Sequence, residues 1–175
     1  MKHLLLTASL VLPFAATTAF AAGGGDEKAP SKPKCKNGQI YDKATKACVN
    51  AEESNLDVDS LYENVRELAY ANRFKDAQIV LAQMPQDDDR TLTYLGFTNR
   101  KMGKMDAAMD YYREALRINP ANVLARSYMG QGFVTLGLVD KAKAQLDEIR
   151  AYGGAGTWAE ASLQSAIETG RTYNY

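Results

Sequence analysis

Tyr94, Gly96, Gly103, Asp106 and Ala108 return 34 positions later as Tyr128, Gly130, Gly137, Asp140 and Ala142. No other feature limits the fold as strongly. A recurrence of this length marks a supersecondary unit that cannot bury its apolar face alone and must stack on copies of itself. The central copy, Thr91 to Asn122, holds two segments of helical periodicity that meet at Gly103. Leu92, Leu95, Gly96 and Met102 follow the helical spacing in the first, and Met105, Ala108, Met109, Tyr112, Ala115 and Leu116 in the second. Gly96 and Ala108 are small where the two helices would touch. Pro120 lacks an N–H and biases Asn119 away from helical geometry, so the second helix ends there. The unit reads as a helix–turn–helix hairpin.

With Leu95-Gly96 on the first helix and Ala108, Tyr112, Ala115 and Pro120 on the second, this hairpin resembles the tetratricopeptide repeat. Asn99 departs from that pattern, which wants an aromatic there. The third copy runs from Val123 to Arg150. A degenerate first copy precedes them, with Leu61, Val65, Leu68 and Ala69 on one helix and Phe74, Ala77, Val80, Leu81 and Met84 on the next. Asn64-Val65 replaces Leu-Gly in that copy, and its alignment with the second is three residues short of the period. Asn72-Arg73 stands at the turn that Gly103 makes later. Asp57 or Asp59 is expected to cap its first helix, and the aspartates after Gln86 to cap the next copy. Gly153-Gly154-Ala155-Gly156 breaks the third copy, and Trp158 to Glu168 is expected to cap the stack, with Trp158 as a core anchor. The predicted architecture is all-α: a short α-solenoid of about three repeats over residues 56–169 with a C-terminal capping helix. Residues 170–175 have no periodicity and are left as a tail.

The N-terminus carries Lys2 and His3, an apolar run from Leu4 to Ala16, and Ala19-Phe20-Ala21. That succession predicts a secretory signal peptide over 1–21, too short and too interrupted by Pro13 for a membrane span. The mature chain is then expected to start at Ala22, outside the cytoplasm, without membrane insertion. Lys+Arg and Asp+Glu balance at 21 each, so no charge excess points to nucleic acid. Residues 22–34 combine Gly, Pro and charge, the composition of a flexible linker.

Cys35 and Cys48 enclose Asn37-Gly38, a turn signal, and the strand-like Gln39-Ile40-Tyr41. In an oxidising compartment the pair is expected to join and close a hairpin over 35–49 that has almost no core of its own. Its spacing is far from the C-x-x-C arrangement of redox pairs. The hairpin is read first as a disulfide-stapled knob or cap; it also resembles the terminal piece of invertebrate-type chitin-binding modules, which implies, as the alternative, a carbohydrate contact through Tyr41. With residues 50–55 as a polar linker, it is expected to stand apart from the repeats, so that reduction leaves the helical melt nearly unchanged.

The single histidine, His3, lies in the expected signal, leaving no imidazole for general-base work or metal ligation. No phosphate-cradling loop or metal-spaced Cys/His set is present, and Gly130-Gln131-Gly132 lies inside a predicted helix, where small residues allow close packing. The chain is therefore read as a non-enzyme without cofactor or metal. The repeat resemblance implies a concave groove, lined by the first helix of each pair, that grips a protein or peptide partner. The expected groove residues are Tyr62, Arg66 and Tyr70; Thr93, Phe97, Arg100 and Lys101; and Ser127 and Gln131, with Thr135 beside them. Phe97, ringed by basic residues, reads as the anchor for an apolar side chain flanked by carboxylates, or else as a core residue turned inward. The leading function is an exported scaffold for protein–protein interaction. The rival is a cell-wall or glycan-binding module built on the cysteine hairpin, with the repeats as a spacer.

Overall fold

The computed structural model describes residues 35–36 and 38–173. The expected signal peptide (1–21) and linker (22–34) lie outside the described residues, as do Asn37, Asn174 and Tyr175. Strands β1 (Gln39–Asp42) and β2 (Ala47–Asn50) pair antiparallel, with Ile40 opposite Val49 and Tyr41 opposite Cys48. A short 3-10 turn at Ala51–Glu53 leads into α1 (Val58–Tyr70), α2 (Phe74–Leu81), α3 (Asp89–Lys101), α4 (Met105–Ile118), α5 (Val123–Thr135), α6 (Val139–Ala151) and α7 (Trp158–Thr169). The fold is an all-α solenoid preceded by a disulfide-closed hairpin.

Helices α1–α2, α3–α4 and α5–α6 pack as three hairpins. The first helix of each touches the next along an inner row, α1 to α3 to α5, and α7 lies against α5 and α6. The helix starts are capped as local physics requires, at the expected aspartates and also at Asn122. Asp57 accepts the Ser60 N–H, Asp88 accepts those of Arg90 and Thr91, and Asn122 accepts that of Ala125. Each side chain satisfies helix donors that would otherwise lack a partner, an effect of about 1 kcal/mol. Gly103 and Gly137 sit at φ +80° and +72° in the inter-helix turns, and Asn72 takes the same left-handed conformation at +59° in the first copy. Asparagine is among the few side chains that tolerate this region, which explains how Asn72 replaces glycine there.

Packing within the hairpins follows the small residues. A Cβ at Gly96 would stand 2.5 Å from the Tyr112 ring, so only glycine lets that ring pack this close to α3. Gly130 meets Leu163 of α7 in the same way, so the small residues around Gln131 serve packing. Asn99, where an aromatic was wanted, turns its amide onto the Leu95 carbonyl of its own helix at 2.8 Å. One apolar core runs from the β-hairpin through the first copies to Tyr128 and Met129, and a second joins Ala142, Leu146, Ile149 and Leu163.

Two expectations are corrected here. The β-hairpin does not stand apart from the repeats. Ile40 and Ala51 are buried in the same core as Leu61, Val65 and Leu68. Asn64 binds the hairpin through both halves of its amide: its oxygen accepts the Tyr41 N–H at 3.0 Å, and its nitrogen donates to the Tyr41 carbonyl at 3.2 Å. Arg73 donates to the Cys35 carbonyl, and Gly38 sits close to Ile79 of α2. The substitution of Asn64 for leucine thus has a cause: that position meets a strand edge, whose backbone needs hydrogen-bonding groups. Trp158, expected as a core anchor, stays 37% exposed and meets Tyr128 edge-on at 6.1 Å. Its place at the first position of α7 leaves it partly in solvent. No helix among the described residues is long and apolar enough to cross a membrane.

Candidate functional site

The inner row of helices carries a continuous series of aromatic rings. Tyr62 of α1 meets Tyr94 of α3 at 5.5 Å and 82°, an edge-to-face contact. Tyr94 and Phe97 meet at 6.0 Å, Phe97 and Tyr128 of α5 at 4.7 Å, and Phe74 of α2 approaches Phe97 at 6.0 Å. Such pairs add stabilisation of roughly 0.5–1.5 kcal/mol each beyond the area they bury. They also close the surface they line.

This closure decides where the expected groove residues lie. Phe97 is wholly buried, so the inward alternative holds and the exposed anchor does not. Thr93 is buried and donates its hydroxyl to the Asp89 carbonyl at 2.6 Å. Ser127 and Gln131 are buried beneath α7 and the segment after it: the Ser127 and Ser162 hydroxyls lie 3.0 Å apart, and Gln131 Oε1 accepts the Tyr173 N–H at 2.8 Å. Tyr62, Arg66 and Lys101 are half-buried, Tyr70 is 55% exposed, and Thr135 is exposed. The open, basic-ringed groove inferred for α3 is therefore not formed as expected.

Arg100 is the most unusual of these residues. It is 6% exposed, its guanidinium lies 5.7 Å from the Phe97 ring centre, and its Nε and Nη2 are buried without a hydrogen-bond partner. The hydroxyls of Tyr112 and Tyr128 share that condition. Burial pushes the Tyr112 phenol up to about 12, against the opposing pull of Arg100, and raises Tyr128 well above its ordinary value. Lys101 is lowered, first by burial and then by the neighbouring Arg100 charge. These shifts keep both phenols protonated and neutral across the physiological range.

A cleft of about 280 Å3 opens where the N-terminal ends of α1, α3 and α5 converge. Its walls are Tyr62, Asp89, Arg90, Thr93, Asn119, Ala121, Asn122, Val123 and Leu124. Of the expected residues it gathers only Tyr62 and Thr93. Asp89 holds it together, its Oδ2 accepting from Asn119 and Asn122, each at 2.7 Å. The Asn122 amide also donates to the Thr93 hydroxyl at 3.0 Å. Arg90 lies 5.0 Å over the Tyr62 ring and pairs with Asp59 at 2.8 Å; that hydrogen bond raises its pKa. The lining thus combines aromatic and aliphatic groups with a hydrogen-bonded array of amide and carboxylate groups. Sequence reading missed Asp89, Arg90, Asn119, Asn122 and Leu124. Asp89 and Asn119 carry the local signals of a cap and a helix stop, and no local pattern pairs residues 30 or more positions apart.

No group of His, Cys, Asp or Glu arranged for a metal ion occurs among the described residues. Stacked helical hairpins with an inner cleft define a helical-repeat protein, and residues 90–122 match the family model of the tetratricopeptide repeat. The matched stretch is the α3–α4 hairpin together with the turn that supplies Asn119 and Asn122 to the cleft. Such repeats generally mediate protein–protein interaction, and proteins built from them are typically scaffolds without enzymatic activity. No curated protein matches the chain.

Proposed function

We propose that this chain is an exported scaffold that binds a protein partner at the inner side of its repeats, with the cleft at Tyr62, Arg90 and Leu124 as the anchoring point. The cleft carries the reading. It lies within the matched repeat and its neighbours, is sized for one or two side chains, and combines apolar walls with fixed polar groups. Anchor residues of protein interfaces settle in desolvated pockets of this kind. The hydrogen bonds among Asp89, Asn119, Asn122 and Thr93 hold the wall in place before a partner arrives, which reduces the ordering cost of binding. Export rests on the charged start, apolar run and Ala19-Phe20-Ala21.

Ala121 is exposed on the rim, so Ala121→Trp fills the cleft without touching the core. With the mature chain as bait in the exported fraction of its cell, the wild type is expected to retain a partner that Ala121→Trp loses at least tenfold, while the melting temperature stays unchanged. Equal capture by both would refute the cleft. The mass of the exported chain checks the other half: it should begin at Ala22, and a chain that retains residues 1–21 would refute the export reading.

A further inference from the structure

α7 ends at Gly170, which adopts φ +70° and donates its N–H to the Ala166 carbonyl at 2.8 Å. The left-handed residue turns the chain out of the helix, and residues 171–173 form neither helix nor strand. Even so, this short segment is held at two points. The Tyr173 N–H donates to Gln131 Oε1 at 2.8 Å, and the Tyr173 hydroxyl lies 2.7 Å from Ser165 Oγ. Gln131 stands one period after Phe97, on the inner face of α5. In the central copy that position is closed by an aromatic ring, whereas in the third it holds a wholly buried amide directed at a passing backbone. The acceptor is also oriented, because Gln131 Nε2 points to Ser127, itself 3.0 Å from the Ser162 hydroxyl. A buried side-chain amide that takes a main-chain N–H recognises extended chain as such, and the neighbouring hydroxyl adds a contact that a tyrosine fills.

We propose that residues 171–173 are an internal occupant of a peptide-binding position, and that the partner is an extended protein segment whose tyrosine takes the place of Tyr173 by displacing it. This rests on the reading of the inner side of the repeats as the binding surface. It adds the chemistry of the ligand: one free backbone N–H and a phenol, presented by a chain without secondary structure. An attached segment competes at an effective concentration in the millimolar range, so the unaltered protein is expected to bind such a ligand weakly until the ligand is abundant.

The probe is a fluorescent synthetic peptide of residues 170–175, Gly-Arg-Thr-Tyr-Asn-Tyr, titrated by anisotropy into the full chain. Tyr173→Pro removes the N–H that Gln131 accepts and leaves Gln131 in place. That variant should bind the peptide at least tenfold more tightly than the wild type. The same peptide, N-methylated at the residue corresponding to Tyr173, should bind the variant at least fivefold more weakly, because the buried amide is left unpaired. Equal binding to both proteins, no binding to the variant, or indifference to the methyl group would overturn the proposal. A second measurement needs no substitution: the Tyr173 amide should be protected from hydrogen exchange in the wild type and lose that protection in excess peptide. Unchanged protection would also overturn it. If the peptide fails while partner capture still depends on Ala121, the inner-side reading stands and the internal occupant falls; if capture is also indifferent, both fall.

Discussion

Replacing Phe97 with alanine is expected to lower the unfolding free energy by about 3–5 kcal/mol, the usual cost of removing a large buried aromatic. The ring is wholly buried and meets Phe74, Tyr94 and Tyr128, which belong to three different hairpins. Its loss leaves a void at the point where the copies join, and rigid helices on all sides limit how far that void can collapse. Denaturant unfolding should show a lower midpoint with little change in slope. A loss below about 1 kcal/mol would mean that the site collapses or that Phe97 is not the junction of the stack. The same substitution separates core from ligand anchor, since an anchor would reduce partner affinity and leave the midpoint alone.

The second large effect concerns the cross-link. Cys35 and Cys48 are joined, with Cα atoms 5.6 Å apart and a sequence separation of 13. In the chain-entropy model a loop of this size contributes roughly 3 kcal/mol. The double change Cys35→Ser with Cys48→Ser should therefore lower the helical melting transition, rather than leave it nearly unchanged as an isolated hairpin would. Ile40 contributes to the main core, and Asn64 bonds both ways to Tyr41. When the loop frays, α1 loses its cover and Asn64 its partners. An unshifted helical melt would show that the hairpin lies against the repeats without stabilising them.

The repeats were legible because their signals are local. A proline that cannot donate, a glycine at a left-handed turn and an apolar stripe at helical spacing each act within a few residues. The caps are visible for the same reason, as Asp57 or Asp59 and as the aspartates after Gln86, and of these the structure uses Asp57 and Asp88. The surface was less legible, because burial is a property of neighbours. Phe97 has the helical phase of an inner-face residue and does lie on that face, but Tyr94 and Tyr128 cover it. Ser127 and Gln131 are covered by α7 and by residues 171–173, a segment with no periodicity to announce that it would pack. Asn64 departs from the repeat pattern for a reason that lies 23 positions away, in the strand edge at Tyr41. The cleft was hidden most completely, because Asp89 finds its two amides in a turn 30 and 33 positions away.

The cross-link also sets the mechanics of the molecule. A pull on the chain ahead of Cys35 passes through the two sulfur atoms to Cys48, bypassing the backbone between them. Both strands cannot be drawn out from that side while the covalent loop is intact. The load arrives instead at Val49, Ala51 and Leu56, which are seated against the first copy, and at the contact between Arg73 and the Cys35 carbonyl. Traction from the N-terminal side therefore strains a broad side-chain seat before it reaches the first turn of α1, and chemical reduction would move the point of failure into the hairpin itself.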